Sequence, residues 1–378
     1  MDRRDFLKAC GAAGAAASAG GIMSQLLAGK MFADEPVGGP LLIKLKGSPR
    51  EMGKQYAEQA RDLIKDRIKY MHEHGSKVDQ DAIDWSRVFL SLKANSILQE
   101  IEAMANRLDE KEEIIYALSA EMPGVGMRVG GCSSAILDAS MSKDKHVWLG
   151  QNVDDTAELD KFGVIIVRRP LEGPPTMTWA LAGGMGGIGM NTAGLGLLMN
   201  YVQTVSGRTP NALFPEHIAS AALRQKNFKD MMGVLTETQV MLPVTFMACD
   251  KGGERYVIER TPLRFSAWNP AKNYAAYTNH MQDKDMVGDD TTAKVFPDSK
   301  QRLARMEAMF KDKKGQAQPD FLKSVFSDME GKPNSICRQA APPTIASVIM
   351  CPHDRIMLAT KSSPERSKYV EYTLTEKE

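Results

Sequence analysis

The alternation of apolar and polar positions changes character near residue 131. Before it the pattern is mainly helical. Leu41-Leu42-Ile43-Lys44-Leu45-Lys46 reads as an opening strand. Ser48, Pro49 and Glu51 then give a capped helix start, which predicts a helix running to about Glu73. Further helical periodicity covers Trp85 to Arg107, and Asp109 to Met122 with Asp109 and Glu112 as a capping box. After Gly131, short apolar runs bounded by turn residues predict strands at about 132–138, 146–151, 162–169, 176–182 and 194–201. A helical region from Pro215 to Glu237 precedes strands at 242–250 and 254–260. A helix from about Asp298 to Phe310 follows, then strands at Thr344 to Met350, Arg355 to Thr360 and Lys368 to Leu374. Grouped strands with helices between the groups predict an α+β protein in which two stacked sheets carry helices on their outer sides.

Within this pattern the stretch Gly130 to Asp155 concentrates the chemistry. Cys132 follows two glycines and enters an apolar run, Ala135-Ile136-Leu137. A polar turn at Ser142 to Lys145 separates it from His146 to Asn152, which reads as the antiparallel partner. Such a hairpin returns Asp154 to the side of Cys132.

Composition narrows the function classes. The 378 residues carry a net charge of +1, which gives no reason to expect nucleic acid or an anionic surface as partner. Residues 1–33 differ from the rest: Arg3-Arg4 stands ahead of a mild Ala/Gly-rich segment, resembling a twin-arginine export signal and predicting a periplasmic or secreted protein. That segment is too poor in large apolar residues for an integral membrane span. Beyond Cys10, the cysteines Cys132, Cys249, Cys337 and Cys351 are widely spaced and lack CxxC pairs, so no metal is expected from them. Cys249 and Cys351 each end an apolar run and read as buried thiols or as a disulfide pair. Gly184 to Gly189 fits GxGxxG, but a turn and a strand follow it rather than the helix a pyrophosphate site requires.

Gly131-Cys132-Ser133-Ser134 followed by Trp148 to Asp154 resembles the nucleophile region of the isopenicillin N acyltransferase family of N-terminal-nucleophile (Ntn) hydrolases. Gly47 to Gly53, Gly189 to Leu195, Thr278-Asn279-His280 and Thr344 to Ile349 match further pieces, in order along the chain. The resemblance implies a four-layer αββα sandwich of two antiparallel sheets. It implies self-cleavage between Gly131 and Cys132, giving chains 34–131 and 132–378, and an amine on Cys132 that activates its own thiol without a cofactor. A free α-amine, with a pKa near 8, supplies base near neutral pH. Asp154 is then expected to hold that amine, with Ser133 and Ser134 orienting the scissile bond. Asn200 is expected near the oxyanion, and Gln151, Asn152, Asn279 and His280 around the substrate. The implied substrate is a small acyl amide or an acylated amino acid or peptide.

Two positions depart within the wider family. Gln151 stands where bile-salt hydrolases, penicillin V acylases and acid ceramidases carry arginine, as in the acyltransferase branch. Thr245 stands where the family commonly places an oxyanion asparagine, and losing such a donor costs about 2.7 to 4 kcal/mol. Arg302 either balances Asp154, binds a carboxylate or is a solvated helix residue. Two other readings stay open: a Cys-His peptidase using His146 or His280, and an exported binding protein that kept the fold without turnover.

Overall fold

The computed structural model describes residues 38–74, 79–121, 130–339 and 342–375. The export-signal expectation falls outside them. Strand β1 (Leu41–Gly47) leads into α1 (Pro49–Gln59) through the expected cap: Ser48 Oγ accepts from Glu51 N, and Glu51 Oε2 accepts the Ser48 amide at 2.7 Å. The helix predicted to reach Glu73 is interrupted at Ala60, and α2 (Arg61–Glu73) follows. The next run is likewise divided at Ala94 into α3 (Gln80–Lys93) and α4 (Asn95–Leu108). Asp109 forms no capping box; it ends α4 in the left-handed region at φ 57°, and α5 (Glu112–Ser119) starts from Lys111 without a side-chain cap.

Beyond residue 130 come β2 (Gly131–Leu137), β3 (Trp148–Asp154), β4 (Gly163–Pro170), β5 (Thr176–Leu181), β6 (Ile188–Asn191) and β7 (Leu195–Tyr201). The Gly184–Gly189 run opens the strand β6 and no helix, as its sequence context required. Helices α6 (Pro215–Leu223) and α7 (Phe228–Glu237) split the single helical region at an Asn227 cap. Strands β8 (Val244–Asp250), β9 (Arg255–Arg260), β10 (Phe265–Trp268) and β11 (Tyr274–Tyr277) follow. The chain closes with α8 (Ser299–Phe310), α9 (Pro319–Phe326), β12 (Thr344–Cys351), β13 (Ile356–Ala359) and β14 (Val370–Thr373).

The strands form an eight-stranded sheet, β1-β4-β5-β6-β7-β8-β9-β10, and a six-stranded one, β11-β2-β3-β12-β13-β14. The larger is mixed rather than antiparallel throughout, because β1 pairs with β4 in parallel. Strand alternation explains the layering. Ile136, Leu149 and Val153 of the small sheet face Ile165, Met177, Trp179 and Met247 of the large one. On the outer side of the large sheet, Ile43, Val164 and Phe246 pack against Tyr56, Ile101 and Phe214 of the helices. On the outer side of the small sheet, Ala135, Trp148 and Ile349 pack against Met306, Phe310 and Phe326. The order is therefore α-β-β-α, and β2 and β3 are buried along their whole length on both faces. Gly150 lets α9 approach: a Cβ there would lie 2.5 Å from Phe326. Cys249 and Cys351 are buried free thiols and form no disulfide. No described helix is long and apolar enough to cross a membrane.

Candidate active site

The predicted hairpin is present, and its register sets the site. Gly131 pairs with Asp154 and Cys132 with Val153. Alternation along β2 turns Cys132 and Ser134 toward the large sheet, and Gly131 and Ser133 toward α8. Cys132 is 4% exposed. Its amide donates to Asn279 Oδ1 at 3.1 Å, and its carbonyl accepts from Arg302 Nη1 at 2.8 Å. The same guanidinium group donates to Ser133 Oγ at 2.8 Å, to Asn279 Oδ1 at 2.7 Å and, through Nε, to Asp298 at 2.7 Å. Arg302 is 1% exposed, so the solvated alternative is excluded: its planar fork is the centre of the site's polar scaffold.

Asp154 is fully buried at the end of β3. Thr344, across on β12, donates to its Oδ1 at 2.6 Å. Its Oδ2 makes no hydrogen bond, with Arg302 4.0 Å and Arg338 3.9 Å away. Burial pushes this carboxyl up to about 6 against the pull of the two arginines and Thr344. Arg338 also bonds Asp298, closing a buried ring of two acids and two arginines that composition gave no sign of. Both acceptors crowd one face of the residue before the cysteine. A Cβ on Gly131 would lie 3.1 Å from Asp154 Oδ2 and 3.3 Å from Asn279 Oδ1.

The other predicted residues divide into those beside Cys132 and those behind it. Gln151 reaches the large sheet, donating to the Met199 carbonyl at 2.7 Å and accepting its amide at 3.2 Å where the β6–β7 pairing has ended. Asn152 points the other way and holds the Phe326 and Ile336 carbonyls at 2.8 and 3.0 Å, so it supports the end of α9 and the segment after it rather than substrate. Ser134 donates to Asn200 Oδ1 at 2.8 Å, and Asn200 donates to the Thr278 carbonyl at 3.0 Å. Thr245 is buried in register with Asn200. The cavity at Cys132 measures about 20 Å³ and is walled by Gly130, Gly131, Gln151, Asp154, Trp179 and Met199 among others; neither Asn200 nor Thr245 is part of that wall. His280 Nδ1 lies 2.8 Å from Ser299 Oγ, and burial lowers its pKa. Trp148 pairs with Leu137, roughly 17 Å along the strands from Cys132, and His146 lies two residues beyond Trp148. Its Nδ1 lies 2.9 Å from Asp354.

Residues 140–366, more than half of the chain, match the model of the acyl-coenzyme A:6-aminopenicillanic acid acyl-transferase family. The chain belongs to that family. It is thereby an acyl-transferring enzyme. Comparison with curated protein sequences gives no match. Among solved structures, the chain is similar to penicillin V acylase from Agrobacterium tumefaciens, with 10% identity, TM-score 0.45, and coverage of 65% of this chain and 87% of the other. It is also similar to a mutant conjugated bile acid hydrolase from Clostridium perfringens, with 12% identity, TM-score 0.41, and coverage of 65% and 97%.

Asp154 gives a prediction about stability. Its proton is held up to about pH 6 in the folded chain but leaves near the ordinary carboxyl value of 3.8 once unfolded. Between these values the native state binds more protons, so its contribution to stability falls as pH climbs from about 4 to about 6 and is flat beyond. Denaturant unfolding of the Cys132→Ala chain at pH 4.5 and pH 7 is expected to show this loss. The added substitution Asp154→Asn is expected to remove it, at most about 1.4 kcal/mol per pH unit for one proton. An equal slope in the two chains would place the carboxyl's titration elsewhere.

Proposed function

We propose that the protein is an exported, self-processing cysteine amidohydrolase that takes an acyl group from a small amide onto Cys132. The observation that carries this reading is the setting of the Gly131–Cys132 peptide. Its nitrogen has one hydrogen, already given to Asn279, yet a second acceptor, Asp154 Oδ2, waits unbonded on the same face of Gly131. An amide leaves that buried oxygen unsatisfied, whereas an ammonium or amine at the same place would use both acceptors. The arrangement suits the cleaved state better than the intact one.

The steps follow from the chain's own atoms. The Cys132 thiol attacks the Gly131 carbonyl, the nitrogen leaves as the new α-amine, and water releases Gly131 from the thioester. The amine, held by Asn279 and Asp154, then accepts the Cys132 thiol proton when an acyl amide arrives. The thiolate takes the acyl group, the amine passes its proton to the leaving nitrogen, and water completes hydrolysis. Arg302 keeps the backbone at Cys132 in register throughout. Cleavage also makes room: about 20 Å³ holds roughly one water, and Gly130 and Gly131, part of the wall, are released at their C-terminal end by the cut.

The arginine pair before an Ala/Gly-rich segment supports export, and water rather than an acyl-carrier thiol is then the abundant acceptor. Intact mass of the purified protein tests the reading. Two fragments meeting at Gly131/Cys132, with an acyl adduct on the second after brief exposure to an acyl amide, are expected. A folded protein that remains one chain overturns it and favours the exported binding protein.

A further inference from the structure

The far end of the same hairpin carries a second cluster that the chemistry at Cys132 does not use. His146 comes from the turn before β3, and His353 and Asp354 from the turn between β12 and β13. Asp354 Oδ2 lies 2.9 Å from His146 Nδ1, and Oδ1 lies 2.9 Å from His353 Nδ1. One nitrogen from each ring and a carboxylate oxygen all fall within 4.8 Å of one another. Tetrahedral coordination with bonds of about 2.0–2.1 Å separates neighbouring ligand atoms by about 3.3 Å. The three atoms therefore lie within about 1.5 Å of the spacing that a shared ion would impose.

We infer that His146, His353 and Asp354 form a binding site for a divalent cation of the zinc class, with water completing its coordination. Two imidazoles and one carboxylate suit zinc or cobalt, whereas calcium and magnesium call for oxygen donors. Cysteine spacing pointed away from metal because the donors here are histidines and an aspartate brought together by strand order, with His146 and Asp354 208 positions apart.

The surroundings position each ligand. Cys351 Sγ donates to Asp354 Oδ2 at 3.3 Å, and Asp144 accepts from the His146 amide at 3.0 Å and from Trp148 Nε1 at 3.0 Å. The two imidazoles stack with centroids 3.7 Å apart and planes 24° apart. A ring binds a metal in its own plane, so one must turn; the side chain of His353, 49% exposed, has the space, while that of His146, 25% exposed, stays anchored. The ion would fasten the start of β3 to the β12–β13 turn and act on stability without touching Cys132.

The test uses the purified full protein without an affinity tag, stripped with chelator and titrated with Zn²⁺ by calorimetry and with Co²⁺ by visible absorption. One ion per chain is expected, together with a higher unfolding temperature in Zn²⁺. His353→Ala and Asp354→Asn, both at exposed or half-buried turn positions, are each expected to weaken binding at least tenfold and abolish the thermal shift. Their unfolding temperatures without metal report that they fold, and amide turnover is expected to stay unchanged. Absence of binding in the unaltered protein, or equal binding in the two folded variants, overturns the site.

Discussion

Replacing Cys132 with alanine is expected to leave the chain whole and to lower acyl-amide turnover by on the order of 10⁴-fold or more. The size follows from the site having no second nucleophile in the same place. Ser133 faces Arg302 on the other side of the strand, and Ser134 is committed to Asn200. His280 is bonded to Ser299 at the start of α8, and His146 is at the wrong end of the hairpin. Removing one sulfur from a side chain 4% exposed opens little space, so the variant should fold and the loss should be chemical. Intact mass and turnover read the two effects separately. A Cys132→Ala chain that still splits after Gly131 would assign the cut to another protease and remove the basis for the amine as base.

The hairpin that pairs Gly131 with Asp154 was legible because both strands are short, apolar and joined by one polar turn, so local pattern determines the register. The ring around it was not. Arg338 lies in a stretch without periodicity, and Thr344 read only as a strand start; both reach Asp154 because β12 lands beside β3. Nothing local announces that pairing, in which Thr344 and Asp154 stand 190 positions apart. Arg302 was visible as a helix-start arginine, but its burial depends on α8 docking over β2, which the helix's own sequence does not disclose. The breaks at Ala60 and Ala94 were missed for a related reason. Alanine is the best helix former, so it carries no stop signal, and the breaks show only in the backbone, where Ala60 (φ −115°) and Ala94 (φ −151°) leave the helical region. The parallel pairing of β1 with β4 likewise joins segments separated by five helices among the described residues. By contrast, the rejection of a dinucleotide site at Gly184–Gly189 needed only the residues that follow it.

Arg302→Met in the uncleaved Cys132→Ala background is expected to cost about 3–5 kcal/mol of folding stability, the usual consequence of breaking one side of a buried ion network. Methionine fills much of the same volume, so the loss would not come from a cavity. It would come from what is left behind: Asp298 keeps Arg338, but Asp154 loses one of its two nearby cations. The Cys132 carbonyl, Ser133 Oγ and Asn279 Oδ1 lose donors in the same step. Arg302→Lys separates charge from geometry. Lysine returns the positive charge, but its single ammonium cannot reproduce the fork that meets Asp298 on one side and the β2 backbone on the other. In the Cys132-containing protein, the lysine variant is therefore expected to fold yet process more slowly, because Asn279 Oδ1 loses the Arg302 donor beside the Cys132 amide and keeps only the holds of Tyr201 and Ser299 on the rest of the residue. Urea unfolding midpoints of the alanine-background chains and the rate of fragment appearance in the cysteine-containing ones measure the two parts. Normal processing in Arg302→Lys would mean that charge beside Asp154 suffices and that the fork is only a packing solution.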